Sequence, residues 1–202
     1  MDTLVAIVLA LGFAGGMFYW IVILYNSAQL QREMQNVTST PIEANDDEST
    51  KANFRELLEE ARRSIVIYDD GDKVSDSIYM DQQITELVRQ KLEANPDFQM
   101  QCLFNFDEPD LLFRKAFNDY ASRVEIKTRD RTKPRLAIHY KIIDDGAKAY
   151  LSRHLPGSST RRFRIVDCTN VSESNRNRVS NAVLGMYKND FHRAFKAATS
   201  TG

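Results

Sequence analysis

The nine residues from Ile138 to Gly146 (IHYKIIDDG) carry the most legible chemistry in this 202-residue chain. They read as a strand that runs into an acidic turn. Residues two apart on a strand share a face, so His139 and Lys141 project side by side. An imidazole beside an ammonium suits phosphate chemistry. The imidazole attacks phosphorus or moves a proton, while the ammonium neutralises the non-bridging oxygens. Ser152 ends the next strand and offers a hydroxyl to the same pocket, with His154 two residues further on. Arg135, among the bases Arg129, Arg131 and Lys133, would draw an anionic substrate, and Asp145 closes the turn. The expected catalytic set is therefore His139, Lys141 and Ser152, and the expected substrate-binding set is Arg135, His154 and Asp145.

The elements that must position these groups alternate. Phe54, Leu57, Leu58 and Ala61 fall at helical spacing over 52–63. Ser64–Tyr68 (SIVIY) is a short apolar strand stopped by Asp69-Asp70-Gly71. Ile84, Leu87, Val88 and Leu92 line one face of a helix over 80–92, ended by Asn95-Pro96. Phe98–Phe104 alternates as a strand, 110–120 is amphipathic, and Val124–Lys127 and Leu136–Ile143 read as strands. Asp145-Gly146 looks like a hairpin turn into Ala149–Ser152. Arg162–Val166 alternates, and 177–197 forms a long last helix. This order implies an α/β fold, a mixed sheet flanked by helices. The acidic run Asp69, Asp70 and Asp72 lacks the spacing of a calcium loop and reads as turn chemistry. No zinc site, phosphate-binding glycine loop or Ser-His-Asp triad is present, so no metal or cofactor is expected.

His139-x-Lys141, an acidic turn and then Ala149-Tyr150-Leu151-Ser152 together resemble the HxK…D…(G)S motif of the phospholipase D superfamily. The element order and the spaced Phe residues of the final helix (175–197) are similar to that family as well. The resemblance spans roughly 52–198 and implies a PLD-like domain. It implies that His139 is the nucleophile that forms a phosphohistidine, that Lys141 holds the phosphate, and that Ser152 adds a donor. That family's acidic residue falls seven positions after the His, where this chain has Gly146. Its Asn two residues after the Ser is His154 here. Family sites use two His-Lys sets, so the single set here implies a homodimer.

Residues 3–25 (TLVAIVLALGFAGGMFYWIVILY) contain no charged side chain. About 20 apolar helical residues cross a bilayer core, so 1–25 reads as a single-pass transmembrane anchor. Tyr19, Trp20 and Tyr25 mark its interfacial end. A cleaved signal would need a basic start and a shorter apolar run. Arg32 close to the span places the rest of the chain on the cytoplasmic side of the cell membrane. The polar stretch 26–51 reads as a linker, 52–198 as the domain, and 199–202 as a tail.

Net charge is −1, but residues 1–110 carry 8 Lys and Arg against 20 Asp and Glu, while 111–202 carry 19 against 8. A basic half suits a phosphate-bearing partner, either nucleic acid or phospholipid. Two functions follow as expectations. The first is a membrane-anchored phosphodiesterase acting through a His nucleophile on nucleic acid or phospholipid. The second is a catalytically degenerate domain that serves as a membrane-tethered phosphate-binding, nucleic-acid-binding or scaffold module.

Overall fold

A computed structural model describes residues 2–44, 47–69, 78–105, 112–129, 138–154 and 161–200. Within these, the side chains of 2–16, 43, 44, 47, 153, 154, 161, 162, 199 and 200 are outside the description. The strands are β1 (Thr38–Ala44), β2 (Ser64–Asp69), β3 (Gln99–Phe104), β4 (Val124–Thr128), β5 (His139–Ile143), β6 (Lys148–His154), β7 (Arg161–Asp167) and β8 (Thr199–Ser200). The helices are α1 (Asp2–Met34), α2 (Asp47–Glu60), α3 (Gln82–Ala94), α4 (Leu112–Ala116) and α5 (Glu173–Ala197).

Among the described residues one mixed sheet forms, in the order β1-β7-β6-β5-β2-β3-β4-β8. The neighbours β2, β3 and β4 are parallel because a helix crosses between each pair. β5, β6 and β7 are an antiparallel meander, and β5 returns antiparallel beside β2. Alternation along β2 buries residues on both sheet faces. Ile65 and Ile67 join Phe54, Leu58, Ile84, Val88 and Phe104 under α2, α3 and α4. Tyr68 joins Tyr140, Val179, Leu184, Phe191 and Phe195 under α5.

Local chemistry explains where the elements start. Asp81 caps α3 by accepting from the Ile84 amide at 3.0 Å, and Ile84, Val88 and Leu92 then face inward. Lys91 reaches back to donate to the carbonyls of Glu59 and Ala61 at the end of α2. In the β5–β6 turn, Asp144, Asp145 and Gly146 all have positive φ, at 47°, 58° and 101°. The Asp144 carboxylate holds that turn by accepting from the amides of Arg62, Arg63 and Ser64 at 2.6–3.1 Å.

Three expectations need correction. The stretch 26–51 is not all linker: α1 runs to Met34, β1 adds an edge strand against β7, and α2 begins at Asp47. Thr38–Pro41 are exposed, so burial imposes no apolar alternation on that strand. The tail 199–202 contributes the two-residue strand β8 beside β4. Helix 110–120 is a short α4 followed by a 3₁₀ turn at Asn118–Tyr120. Among the described residues no helix is both long and apolar enough to cross a membrane. Most of the expected span 3–25 lies outside the described side chains, which begin at Met17.

Candidate active site

The end of the sheet where β2, β3 and β4 finish and β5 begins collects the polar groups. His139 opens β5 and pairs in register with Ser152 on β6. Both are buried on the face shared with Ile67 and Tyr150, since Lys141 pairs with each of those two. Strand alternation therefore puts His139, Lys141 and Ser152 on one face, as expected from their spacing.

The sequence reading did not foresee the partner of His139. Its Nδ1 lies 3.0 Å from Oδ1 of Asp69, the last residue of β2. A carboxylate opposite Nδ1 selects the tautomer that donates from Nδ1 and leaves the lone pair on Nε2. The other carboxylate oxygen of Asp69 accepts from the Tyr79 hydroxyl at 2.9 Å. The Tyr79 ring is fixed in turn by Phe104 and Phe113, at centroid distances of 4.6 and 5.3 Å. His139 is thus oriented by Asp69 of β2, which is itself fixed by Tyr79 and, through that ring, by Phe104 of β3 and Phe113 of α4.

Lys141 is only 3% exposed. Its ammonium lies 5.2 Å from the Phe54 ring centroid, 5.7 Å from Tyr150 and 5.9 Å from Tyr79. Ring faces attract a cation, and the attraction strengthens where water is excluded. Cys102 lies in the same layer. Burial pushes its thiol far up despite the opposing pull of Lys141, which makes it an inert core residue.

Next along the same end, Arg129 is buried and donates from Nε to Asn105 Oδ1 at 3.2 Å. Arg114 donates to the Thr128 hydroxyl at 2.8 Å. These cations follow β3 and β4 at their carboxyl ends, where open α/β sheets place ligand sites.

Not every expected site residue gathers here. Asp145 sits in the turn at the opposite end of β5, with its carbonyl accepting from Ser180 Oγ and Lys188 Nζ at 3.0 and 2.9 Å. The β5–β6 hairpin reverses the chain at that far end, so a position six after His139 cannot return to it. The same holds for Gly146. A Cβ there would fall 1.9 Å from Ser180 Oγ at φ 101°, so any side chain at that position is strained and must displace the hydroxyl. Arg135 lies outside the described residues, as does the side chain of His154, though its backbone is in register with Arg161. The residues that sequence reasoning missed are Asp69, Tyr79 and Asn105. One signal for Asp69 was present: two strands each run into Asp-Asp-Gly, and antiparallel pairing brings the end of β2 to the start of β5. Among the described residues no group of His, Cys, Asp and Glu is arranged to hold a metal.

No protein-family model and no curated protein matches the chain. Among solved structures it is similar to TrmBL2, an archaeal chromatin protein whose structure shows a novel mode of DNA binding. The TM-score is 0.56 at 15% identity, over 81% of this chain and 54% of that one. The chain thus spans about half the length of that protein. Similarity also extends to a phosphatidylserine synthase from Haemophilus influenzae Rd KW20 (TM-score 0.46, 9% identity, 73% of this chain and 38% of that one). A polyphosphate kinase from Porphyromonas gingivalis gives TM-score 0.46 at 9% identity, over 76% of this chain and 26% of that one. The sheet and helices of this chain share the fold of TrmBL2.

Proposed function

We propose that this chain is a membrane-anchored phosphodiesterase of the phospholipase D kind, with His139 as its nucleophile. The observation that carries the reading is the 3.0 Å approach of Asp69 to His139 Nδ1, which frees Nε2 for attack. The Nε2 lone pair forms a bond to phosphorus as the bond to the leaving oxygen breaks, and the departing alkoxide takes a proton. Water then attacks phosphorus, the P–N bond breaks, and the ring returns to its starting state. Asp69 stabilises the positive charge that the ring acquires in the intermediate. Lys141 supplies positive charge below the phosphate, and Ser152 supplies a hydroxyl beside it. A second copy of the chain completes the site by bringing a second His139 to protonate the leaving group, which a shared bilayer favours by raising local concentration.

The anchor belongs to the same proposal. Phe18, Tyr19, Trp20, Leu24 and Tyr25 of α1 are 62–70% exposed around the helix, a surface suited to lipid. In this proposal the domain lies on the cytoplasmic side, the side of Arg32. Purified protein should hydrolyse a generic phosphodiester such as bis(p-nitrophenyl) phosphate. The His139→Ala variant should not, and full activity in that variant would sink the assignment.

The burial of both His139 and Lys141 favours a second reading, a phosphate-binding module without turnover, in which a recessed pair recognises rather than attacks. The DNA binding stated for TrmBL2 is in keeping with it. Salt-dependent binding of DNA without cleavage, weakened in His139→Ala, would select this reading over the enzyme.

A further inference from the structure

Tyr79 touches both halves of the proposed site without lying on either of its strands. Its hydroxyl donates to one carboxylate oxygen of Asp69 at 2.9 Å, and the other oxygen faces His139 Nδ1 at 3.0 Å. Its ring centroid lies 5.9 Å from the Lys141 ammonium. One side chain thus meets the acid that orients His139 and the cation proposed to hold phosphate.

A carboxylate in this role needs a second contact. The last torsion of an aspartate is broad, so a hydrogen bond to one oxygen does not by itself fix the plane of the group. An O–H donor to an ionised oxygen makes one of the stronger hydrogen bonds, and it sets that plane from the far side. With the plane set, the first oxygen stays in line with Nδ1 and the Nδ1–H tautomer is held.

The hydroxyl itself is carried on a rigid mount. Tyr79 sits in the single 3₁₀ turn Ile78–Met80 and is 1% exposed. Its ring packs against Phe104, Phe113 and Phe54, at centroid distances of 4.6, 5.3 and 6.3 Å. The Leu112 amide of α4 donates to Met80 Sδ at 3.3 Å, and the Asp81 amide donates to the Ile78 carbonyl at 3.3 Å. Asp81 caps α3, and its carboxylate meets Lys51 and Arg55 of α2 at 3.6 and 3.7 Å. Three helices therefore fix the turn that carries the hydroxyl. A buried tyrosine hydroxyl needs a partner, and a backbone carbonyl would serve a residue that only fills the core. This one takes the carboxylate that faces His139.

We propose that Tyr79 is a positioning residue for His139, acting through the Asp69 carboxylate. The proposal rests on the reading of His139 as the site's working group and adds a third member to its acid–imidazole pair.

The test substitutes Tyr79→Phe in the full chain, solubilised in detergent and labelled with ¹⁵N at histidine. The ring and its aromatic packing stay, so the fold and the surroundings of Lys141 should persist. The chain has three His, and the ring signals lost in His139→Ala identify His139. In the neutral ring of the wild type, Nδ1 should resonate as the protonated nitrogen and Nε2 as the bare one. In Tyr79→Phe the two shifts should move toward each other as the second tautomer gains population. On bis(p-nitrophenyl) phosphate, kcat should fall about three- to tenfold with KM within about twofold, because Lys141 and its rings are untouched. In an Asp69→Ala background, Tyr79→Phe should produce no further change in the ring shifts, as acting through that carboxylate requires. Unchanged ring shifts in Tyr79→Phe overturn the inference, whatever the rate. So does an equal further change in the Asp69→Ala background, since Tyr79 would then reach His139 by another route. The tautomer response without any hydrolysis by the wild type removes the enzyme and leaves the positioning role standing.

Discussion

Asp69→Asn isolates the contact on which the chemistry depends, because it preserves shape and removes charge. In the native site the carboxylate lies 3.0 Å from His139 Nδ1. When Nε2 bonds to phosphorus the ring becomes cationic, and its charge centre lies about 4 Å from that of the carboxylate. Coulomb's law gives about 4 kcal/mol at that distance for an effective dielectric near 20. The Asp69 side chain is 17% exposed, so solvent screens part of this and about 2–3 kcal/mol is the working figure. At 1.36 kcal/mol per decade, kcat should fall about 30- to 200-fold. KM should change little, because the charge appears only along the reaction path. The Tyr79 hydroxyl still finds the amide oxygen, so the fold should persist. Steady-state kinetics on bis(p-nitrophenyl) phosphate supply the rate. The ring ¹⁵N shifts of His139 report the tautomer independently of activity, and they should show the Nδ1–H form weakened in the variant. An unchanged tautomer together with kcat within about twofold of wild type would refute the Asp69–His139 argument.

Three further outcomes concern the framework. Gly146→Ala forces a Cβ to within 1.9 Å of Ser180 Oγ at φ 101°, so strain and the displaced Ser180–Asp145 bond should cost about 2–4 kcal/mol in urea unfolding. Adding Ser180→Gly should recover only the steric part. Asp144→Ala strips the acceptor from three amides at the α2–β2 turn and should cost about 2 kcal/mol, visible as faster amide exchange at Arg62–Ser64. Hydrogen bonds from the Ser172 and Asn175 side chains hold the Glu33 carboxyl below its ordinary 4.5. Because the folded value is the lower one, this clasp of α1 on α5 is intact above the ordinary value and lost as pH falls through the lowered one. Exchange at the Ser172 amide should therefore accelerate with acid below about pH 4.5, beyond its intrinsic trend, and Glu33→Gln should blunt that response.

The alternation of Ser64–Asp69 and Gln99–Phe104, the 3.6-residue period of α3 and the length of α5 were all legible, because burial imposes them directly on side-chain type. So was the shared face of His139, Lys141 and Ser152, which needs only strand geometry and one hairpin. The edge strand β1 was not legible. Its first four residues face solvent, and its pairing with β7 is written in backbone hydrogen bonds that any residue type can make. Asp69 was hidden for a different reason. Its role depends on β5 returning antiparallel beside β2, a contact 70 residues distant in sequence that no local spacing encodes. Asp145 is the converse case: it is six residues from His139 along the chain, yet the hairpin puts it at the far end of β5.

The sheet divides its labour between its ends. At the clasp end the polar groups are bound to the scaffold itself. Asp144 closes on three amides, Lys148 pairs with Glu60 at 2.6 Å, Lys188 and Ser180 hold the Asp145 carbonyl, and Glu33 ties α1 to α5. Most of these bonds join one secondary-structure element to another, so loosening any of them moves a helix or a turn. At the His139 end, Asp69, Tyr79 and the rings around Lys141 orient side chains instead of elements. Rigidity at the first end is what allows precision at the second, because β5 and β6 carry the registry of the clasped turn straight to His139 and Ser152. Gly146 shows the consequence. Position 146 belongs to the structural end, where a Cβ would meet Ser180 Oγ at 1.9 Å and the φ of 101° strains any side chain. The carboxylate that lies against His139 comes from β2, the strand beside it.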